Sequence, residues 1–328
     1  MEDPLHAGSI DEKLERIAEM LRAIADEEPW VRRRLTELRA SGAYADPFEA
    51  ADPLVSVVIP TYRGFESLRD VSLPSVLGQT HRNLEVLVVG DAAPPETAEV
   101  VRAFADERLR FHNLAVRGPY SDDSDRAWLV AGSPPYNAGV ASARGLWIAP
   151  LADDDAFTPD HVEVLLEAAR ARRLEFVYSK LRAHLSDGSE VLVGEFPPRL
   201  GEFGLQGALY HAGLSFMELN LSDDVFDVPN DWSLCRRMLR AGVRIGMLDR
   251  PTVEYYPSSE WGRRARPMER RHAPPPPDPM VEELAAARGR IEELERQLDV
   301  ISSSKSWRMT APLRDAARRA RERRSASS

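Results

Sequence analysis

Two short runs, Leu54–Ile59 (LVSVVI) and Leu84–Val89 (LEVLVV), constrain the fold of this chain more than any other feature. Both are β-branched and apolar almost throughout. Each stops abruptly at a polar turn, Pro60-Thr61-Tyr62 after the first and Gly90-Asp91 after the second. A strand that is apolar along its whole length, instead of alternating, is covered on both faces, the habit of parallel sheets. Between the two runs, Leu68, Val71, Leu73, Val76 and Leu77 recur at helical spacing over residues 66–77, despite Pro74. A helix over Glu96–Ala105 and a strand at Leu109–His112 are expected next. This alternation predicts an α/β fold, with a mostly parallel, Rossmann-like sheet and helices on both faces. In such sheets ligands sit beyond the carboxyl ends of the strands.

A third strand end of this kind follows Gly145–Leu151, where Asp153, Asp154 and Asp155 stand side by side ahead of Thr158-Pro159. Adjacent carboxylates repel one another. They make chemical sense around a divalent cation, because hard oxygen ligands suit Mg²⁺ or Mn²⁺. The competing reading is an acidic loop capping the next helix, whose buried face is marked by Val162, Leu165, Leu166 and Ala169. Convergence with Thr61-Tyr62 and Asp91 at one sheet edge favours a shared site.

Residues 117–135 show no clean periodicity, and Asp122, Asp123 and Asp125 within them read as solvated. Asn137–Arg144 is a small-residue helix leading into the third strand. Glu175–Tyr178 is a further strand, and Leu181–Leu185 with Glu190–Val193 flank Ser186-Asp187-Gly188-Ser189 as a hairpin. Residues 195–228 carry no assignment. Asn230–Ala241 is a helix stopped by Gly242, followed by strands at Val243–Leu248 and Thr252–Tyr256.

The flanks differ in character. Residues 11–40 pattern as a helical hairpin, Leu14 to Ile24 and then Val31, Leu35 and Leu38 after Pro29, joined to the body by a linker over Ser41–Pro53. Beyond the Pro274–Pro277 break, Met280, Leu284, Ala287, Ile291, Leu294, Leu298 and Ile301 form a heptad seam. It suits a short coiled coil that could pair two copies into a homo-oligomer, or a helix packed on its own domain. The division expected is 1–50, a helical extension and linker; 51–260, the α/β domain; and 261–328, linker, C-terminal coiled-coil helix and basic tail.

Charge narrows the partners. With 43 Lys and Arg against 53 Asp and Glu, the chain carries a formal −10, which argues against nucleic acid. The tail Lys305–Arg324 runs the other way, with eight basic residues against Asp315 and Glu322. Together with Trp307, Met309 and Leu313 it suits peripheral contact with an anionic membrane, and equally a solvated end. A single cysteine, Cys235, excludes an intramolecular disulfide and a cysteine-based zinc cluster. No basic and apolar leader opens the sequence and no apolar run is long enough to span a bilayer. A cytoplasmic protein, peripheral at the inner face of the plasma membrane if the tail binds there, is expected.

Taken in order, VSVVIPTY, LEVLVVGD, NAGVASARG, LADDDAFTPD and NDWSLCRRML resemble the motifs of the inverting glycosyltransferases of family 2, over about Leu54 to Tyr256. The resemblance implies a GT-A fold and sugar transfer from a nucleotide-sugar, UDP-type, to a hydroxyl of a glycan or lipid-linked acceptor in cell-envelope synthesis. It implies that Thr61 and Tyr62 line the base pocket, that Pro60 and Asn137 also belong to the nucleotide site, and that Asp91 accepts from the imide of the base. Asp153 would hold the ribose. Asp154, helped by Asp155, would bind Mg²⁺ or Mn²⁺ in the manner of a DXD motif, and Asp231 would be the catalytic base. The sequence departs from the family at Gly90 and Ala152, where acids are common, and in the loop at 117–135. SKSWRMTAPLR further resembles a tail of bacterial surface-polysaccharide glycosyltransferases.

Other readings compete. Asp231 could simply cap its helix, with His211 or Glu218 as the base. A sugar-nucleotide pyrophosphorylase would need a Gly-rich phosphate loop with an Arg, which PTYRGFES does not supply. A non-catalytic GT-A-like scaffold acting through the coiled coil and basic tail would have no use for the acid set Asp91, Asp153, Asp154 and Asp231.

Overall fold

The computed structural model describes residues 28–226 and 228–256, all within one compact unit. The first helix of the expected hairpin, the Pro274–Pro277 break, the heptad seam and the basic tail lie outside the described residues.

The strands of the described residues form one sheet. They are β1 (Val55–Thr61), β2 (Leu84–Gly90), β3 (Leu109–Asn113), β4 (Trp147–Pro150), β5 (Ala156–Phe157), β6 (Phe176–His184), β7 (Glu190–Val193), β8 (Ala208–His211) and β9 (Ile245–Tyr255). Their order is β3-β2-β1-β4-β8-β6-β9-β5, with β7 pairing β6. The half containing β1 to β4 is parallel throughout. The other half is mixed, because β8 runs antiparallel to both β4 and β6 while β6 and β9 are parallel. The expectation of a mostly parallel sheet therefore holds, with antiparallel pairing confined to the short strands β5, β7 and β8. β8 escaped sequence reading because ALYH is four residues long and follows glycines without alternation. The strands expected separately at 243–248 and 252–256 are one strand, β9, whose pairing with β6 shifts register beside Lys180.

Side-chain alternation along β1 explains why both faces are covered. Val55, Val57 and Ile59 point into one core with Leu68, Leu73, Val76, Val101, Val162 and Leu165. Val58 points into a second core with Val31, Leu35, Tyr136, Val140, Leu234 and Met238. Each fully buried Val, Leu or Ile of this kind contributes about 1.5–3 kcal/mol relative to exposure. The helices supplying these residues are α1 (residues 28–40), α2 (Pro95–Ala103), α3 (Ser133–Ser142), α4 (His161–Arg172) and α5 (Asn230–Ala241). Helical residues 65–77 widen into a five-residue π turn at Leu68–Ser72. The wide turn absorbs Pro74, which offers no N–H to the turn before it.

The stretch expected to be a linker is packed. Phe48 is buried edge-on against Trp147, whose indole N–H donates to the Pro47 carbonyl at 3.0 Å. Arg39 of α1 grips the wholly buried Glu175 carboxylate with two bonds of 2.7 Å, and Tyr44 adds a third of 2.7 Å. Glu175 also accepts the Arg244 N–H at 2.8 Å. These partners hold its carboxyl below the usual range although burial alone would raise it.

Candidate active site

Parallel pairing brings the carboxyl ends of β1, β2 and β4 to one edge, with Thr61 opposite Gly90 and Val58 opposite Pro150. Thr61 is the hub of that edge. Its carbonyl accepts the Asp91 N–H at 2.8 Å, and its hydroxyl donates to Asp153 Oδ2 at 2.6 Å. Gly64 makes this possible, since a Cβ there would lie 2.3 Å from Asp153 Oδ2.

The acidic triplet is strained electrostatically. Burial and the neighbouring Asp154 charge push the Asp153 carboxyl up to about 7, against the Thr61 and Tyr62 bonds. Asp155 is raised well above the carboxylate range by burial and by the charge of Asp154. Its Oδ1 accepts the Tyr256 N–H at 3.1 Å, and the Gln206 side chain also bonds it. A divalent cation would relieve this mutual repulsion, so the donor set fits one. Among the described residues no group of three or more His, Cys, Asp or Glu is arranged to hold a metal by itself.

Asp231 sits in the first turn of α5, whose N-cap is Pro229, so it is not the cap. Its Oδ1 accepts the Trp232 N–H at 2.6 Å, and the Leu205 amide donates to it as well. Burial nevertheless raises its carboxyl to about 6. Leu205 and Gln206 belong to the single turn Leu205–Gly207, so one turn supports both Asp231 and Asp155. A second route joins the start of α5 to the Thr61 edge. Asn230 donates to Ser133 Oγ at 2.8 Å, and Gly132, next to Ser133, donates to the Tyr120 hydroxyl at 3.2 Å. Tyr120 donates to Asp91 at 2.6 Å, and Asp91 leads back to Thr61.

The remaining expected residues divide. Pro60 lines the same strand end, its ring 3.5 Å from where a Cβ on Gly132 would sit. The Asn137 amide is spent on the backbone of Leu219, donating to its carbonyl at 2.9 Å and accepting its N–H at 3.0 Å. Both polar bonds therefore clamp the 219 segment. His211 pairs with Trp147 at the start of β4, the edge away from the site, and its ring nitrogens engage Gly213 and Tyr44. Glu218 is exposed. Gly90, where an acid was expected, lies against Asn113, whose Oδ1 would be 2.3 Å from a Cβ there.

Sequence reasoning missed Arg117, Gly118, Tyr120, Leu205, Gln206 and Tyr256. None stands in a periodic pattern, and only contacts reveal them.

Comparison with known proteins now bears on this geometry. Residues 56–121 match the model of Glycosyl transferase family 2. Over that segment the chain is similar to the family 2 glycosyltransferases. It is 31% identical over 137 residues to succinoglycan biosynthesis protein ExoO of Rhizobium meliloti, covering 42% of this chain and 35% of that protein. It is 26% identical, also over 137 residues, to the putative teichuronic acid biosynthesis glycosyltransferase TuaG of Bacillus subtilis, covering 42% of this chain and 50% of that protein. This chain thus spans half or less of the curated relatives it matches. The crystal structure of S. aureus TarS 1-349 superposes with a TM-score of 0.49 at 16% identity, covering 62% of this chain and 60% of that one. The mixed sheet with helices on both faces is the GT-A architecture that the family implies. Among the described residues, no helix is long and apolar enough to cross a membrane.

Proposed function

We propose that this domain transfers a sugar, with inversion, from a nucleoside-diphosphate sugar of the UDP type to a hydroxyl of a glycan or lipid-linked acceptor in surface-polysaccharide synthesis. The observation that carries the reading is the pairing of Asp231 with the acidic triplet through Leu205 and Gln206. Inverting transfer needs a carboxylate base for the acceptor on the face opposite the departing phosphate. A base with a carboxyl near 6 is ionised at neutral pH yet basic enough to take a proton.

In this reading Tyr62 and Asp91 receive the base and Asp153 receives the ribose. Asp154, supported by Asp155, holds Mg²⁺ or Mn²⁺. A cation bound there supplies charge neutralisation for the departing nucleoside diphosphate. Asp231 accepts the acceptor hydroxyl's proton while its Oδ1 stays on the Trp232 amide.

The test is transfer from UDP-sugars by the Asp231→Asn and Asp154→Ala variants, with UDP binding measured by calorimetry. Asp231→Asn is expected to bind UDP normally and turn over about 10²–10⁴-fold more slowly. Asp154→Ala is expected to lose the Mn²⁺ dependence of UDP binding. Turnover within a few-fold of the parent in Asp231→Asn overturns the base assignment.

A further inference from the structure

The loop after β3 places its own side chains on the two residues assigned above to the nucleotide base. Arg117 lays its guanidinium 4.1 Å above the Tyr62 ring. Three residues on, the Tyr120 hydroxyl donates to Asp91 Oδ2 at 2.6 Å, while the Gly118 N–H donates to Oδ1 at 2.9 Å. The same guanidinium lies 5.2 Å from the Tyr120 ring, so the cation sits against both aromatics.

This arrangement is built into the loop. A Cβ on Gly118 would fall 2.8 Å from Tyr120 Cζ and 2.9 Å from its hydroxyl, so only glycine lets the phenol fold back onto Asp91. The Tyr120 hydroxyl also accepts the Gly132 N–H, which ties the loop to the start of α3. Burial and the Asp91 charge raise the phenol's pKa, so Tyr120 remains a hydrogen-bond donor throughout the neutral range.

The chemistry of these contacts matches that of a base. A planar guanidinium over an aromatic face takes the place a stacked nucleobase would take. A hydroxyl donating to a carboxylate takes the place of an imide N–H. We propose that Arg117 and Tyr120 gate the base pocket: they stand on Tyr62 and Asp91, and a donor nucleotide binds only by displacing them. The proposal rests on the nucleotide-sugar reading of this site. It makes the two residues determinants of specificity, because an incoming base must replace both a stacked face and a donor to Asp91. Uracil, with its imide N–H, can do so. Cytosine, which has no N–H at ring position 3, repays the Tyr120 bond less well. It also lowers affinity for every donor, since binding is reduced by the fraction of molecules in which the gate is open.

The experiment is calorimetry of UDP and CDP with Mn²⁺ on the full chain, comparing the parent with Tyr120→Phe and Arg117→Ala. Tyr120→Phe keeps the ring and removes one charge-assisted hydrogen bond. Arg117 is exposed, so its removal leaves the core intact. If the two residues gate the pocket, Tyr120→Phe binds UDP about tenfold more tightly than the parent. Arg117→Ala tightens it several-fold, and UDP exceeds CDP in the parent. Equal or weaker UDP binding in both variants overturns the gate and makes Tyr120 and Arg117 fixed walls of the pocket. Absence of UDP binding in the parent and both variants overturns the nucleotide reading itself, and the gate with it.

Discussion

Asp155 and Asp231 are held by consecutive residues, the side chain of Gln206 on one and the backbone amide of Leu205 on the other. A carboxylate at the donor-phosphate end and the assigned base thus share one turn, Leu205–Gly207. Any shift of that turn moves both.

Gln206→Ala should expose this linkage. It removes the side-chain donor from Asp155 and leaves the Leu205 amide in place. Mn²⁺-dependent UDP affinity is expected to fall about tenfold, as losses around supporting ligands do, with a smaller loss in kcat. Unchanged affinity and kcat together would reduce Gln206 to a packing residue.

Asp231 carries a pH signature of its own. Burial raises its carboxyl to about 6, so turnover should fall close to tenfold per pH unit below that value. The stability effect has a definite sign. A carboxyl raised in the folded state favours folding below its unfolded value near 3.8, and that contribution is lost as pH rises through about 6. Asp231→Asn should therefore be more stable than the parent at pH 8 by about 1–2 kcal/mol, with the gap closing toward pH 4. Thermal melts across that range provide the check, and a less stable variant at pH 8 would contradict it.

Gly64→Ala tests the packing of Asp153. The added methyl would meet Asp153 Oδ2 at 2.3 Å and force it from the Thr61 hydroxyl. Donor affinity should drop by about tenfold, the worth of one hydrogen bond to a charged group. The melting temperature should change little, because the carboxylate can move toward solvent. A variant that binds UDP as the parent does would mean Asp153 does not hold the donor from this position.

Glu175→Ala tests stability away from the site. The substitution strips Arg39, Tyr44 and the Arg244 amide of their shared partner. Loss of about 3 kcal/mol is expected, and a melting temperature lower by roughly 6–12 °C. Turnover at 20 °C should survive, since Glu175 pairs with Arg244 and His211 and not with the triplet. A melting temperature within about 2 °C of the parent would show that α1 is held by Val31 and Leu35 alone.

By itself the sequence determined the strands β1, β2 and β4, the polar ends that gather into a site, and α5 with its stop at Gly242. Apolar runs and a left-handed glycine at φ +87° act through nearest neighbours, so they are legible in one dimension. Asp91 and Asp153–Asp155 stand out for the same reason, at the ends of apolar runs, whereas Asp231 stands out only through the family resemblance. Only the tertiary structure decided what those acids touch. Tyr120 reaches Asp91 across 29 positions, and Thr61 reaches Asp153 across 92. Tyr256 reaches Asp155 across 101. Contacts at such separations depend on sheet order and loop path, and neither leaves a local pattern. The antiparallel insertion of β8 belongs to the same class, since a four-residue strand is specified by the neighbours that pair with it.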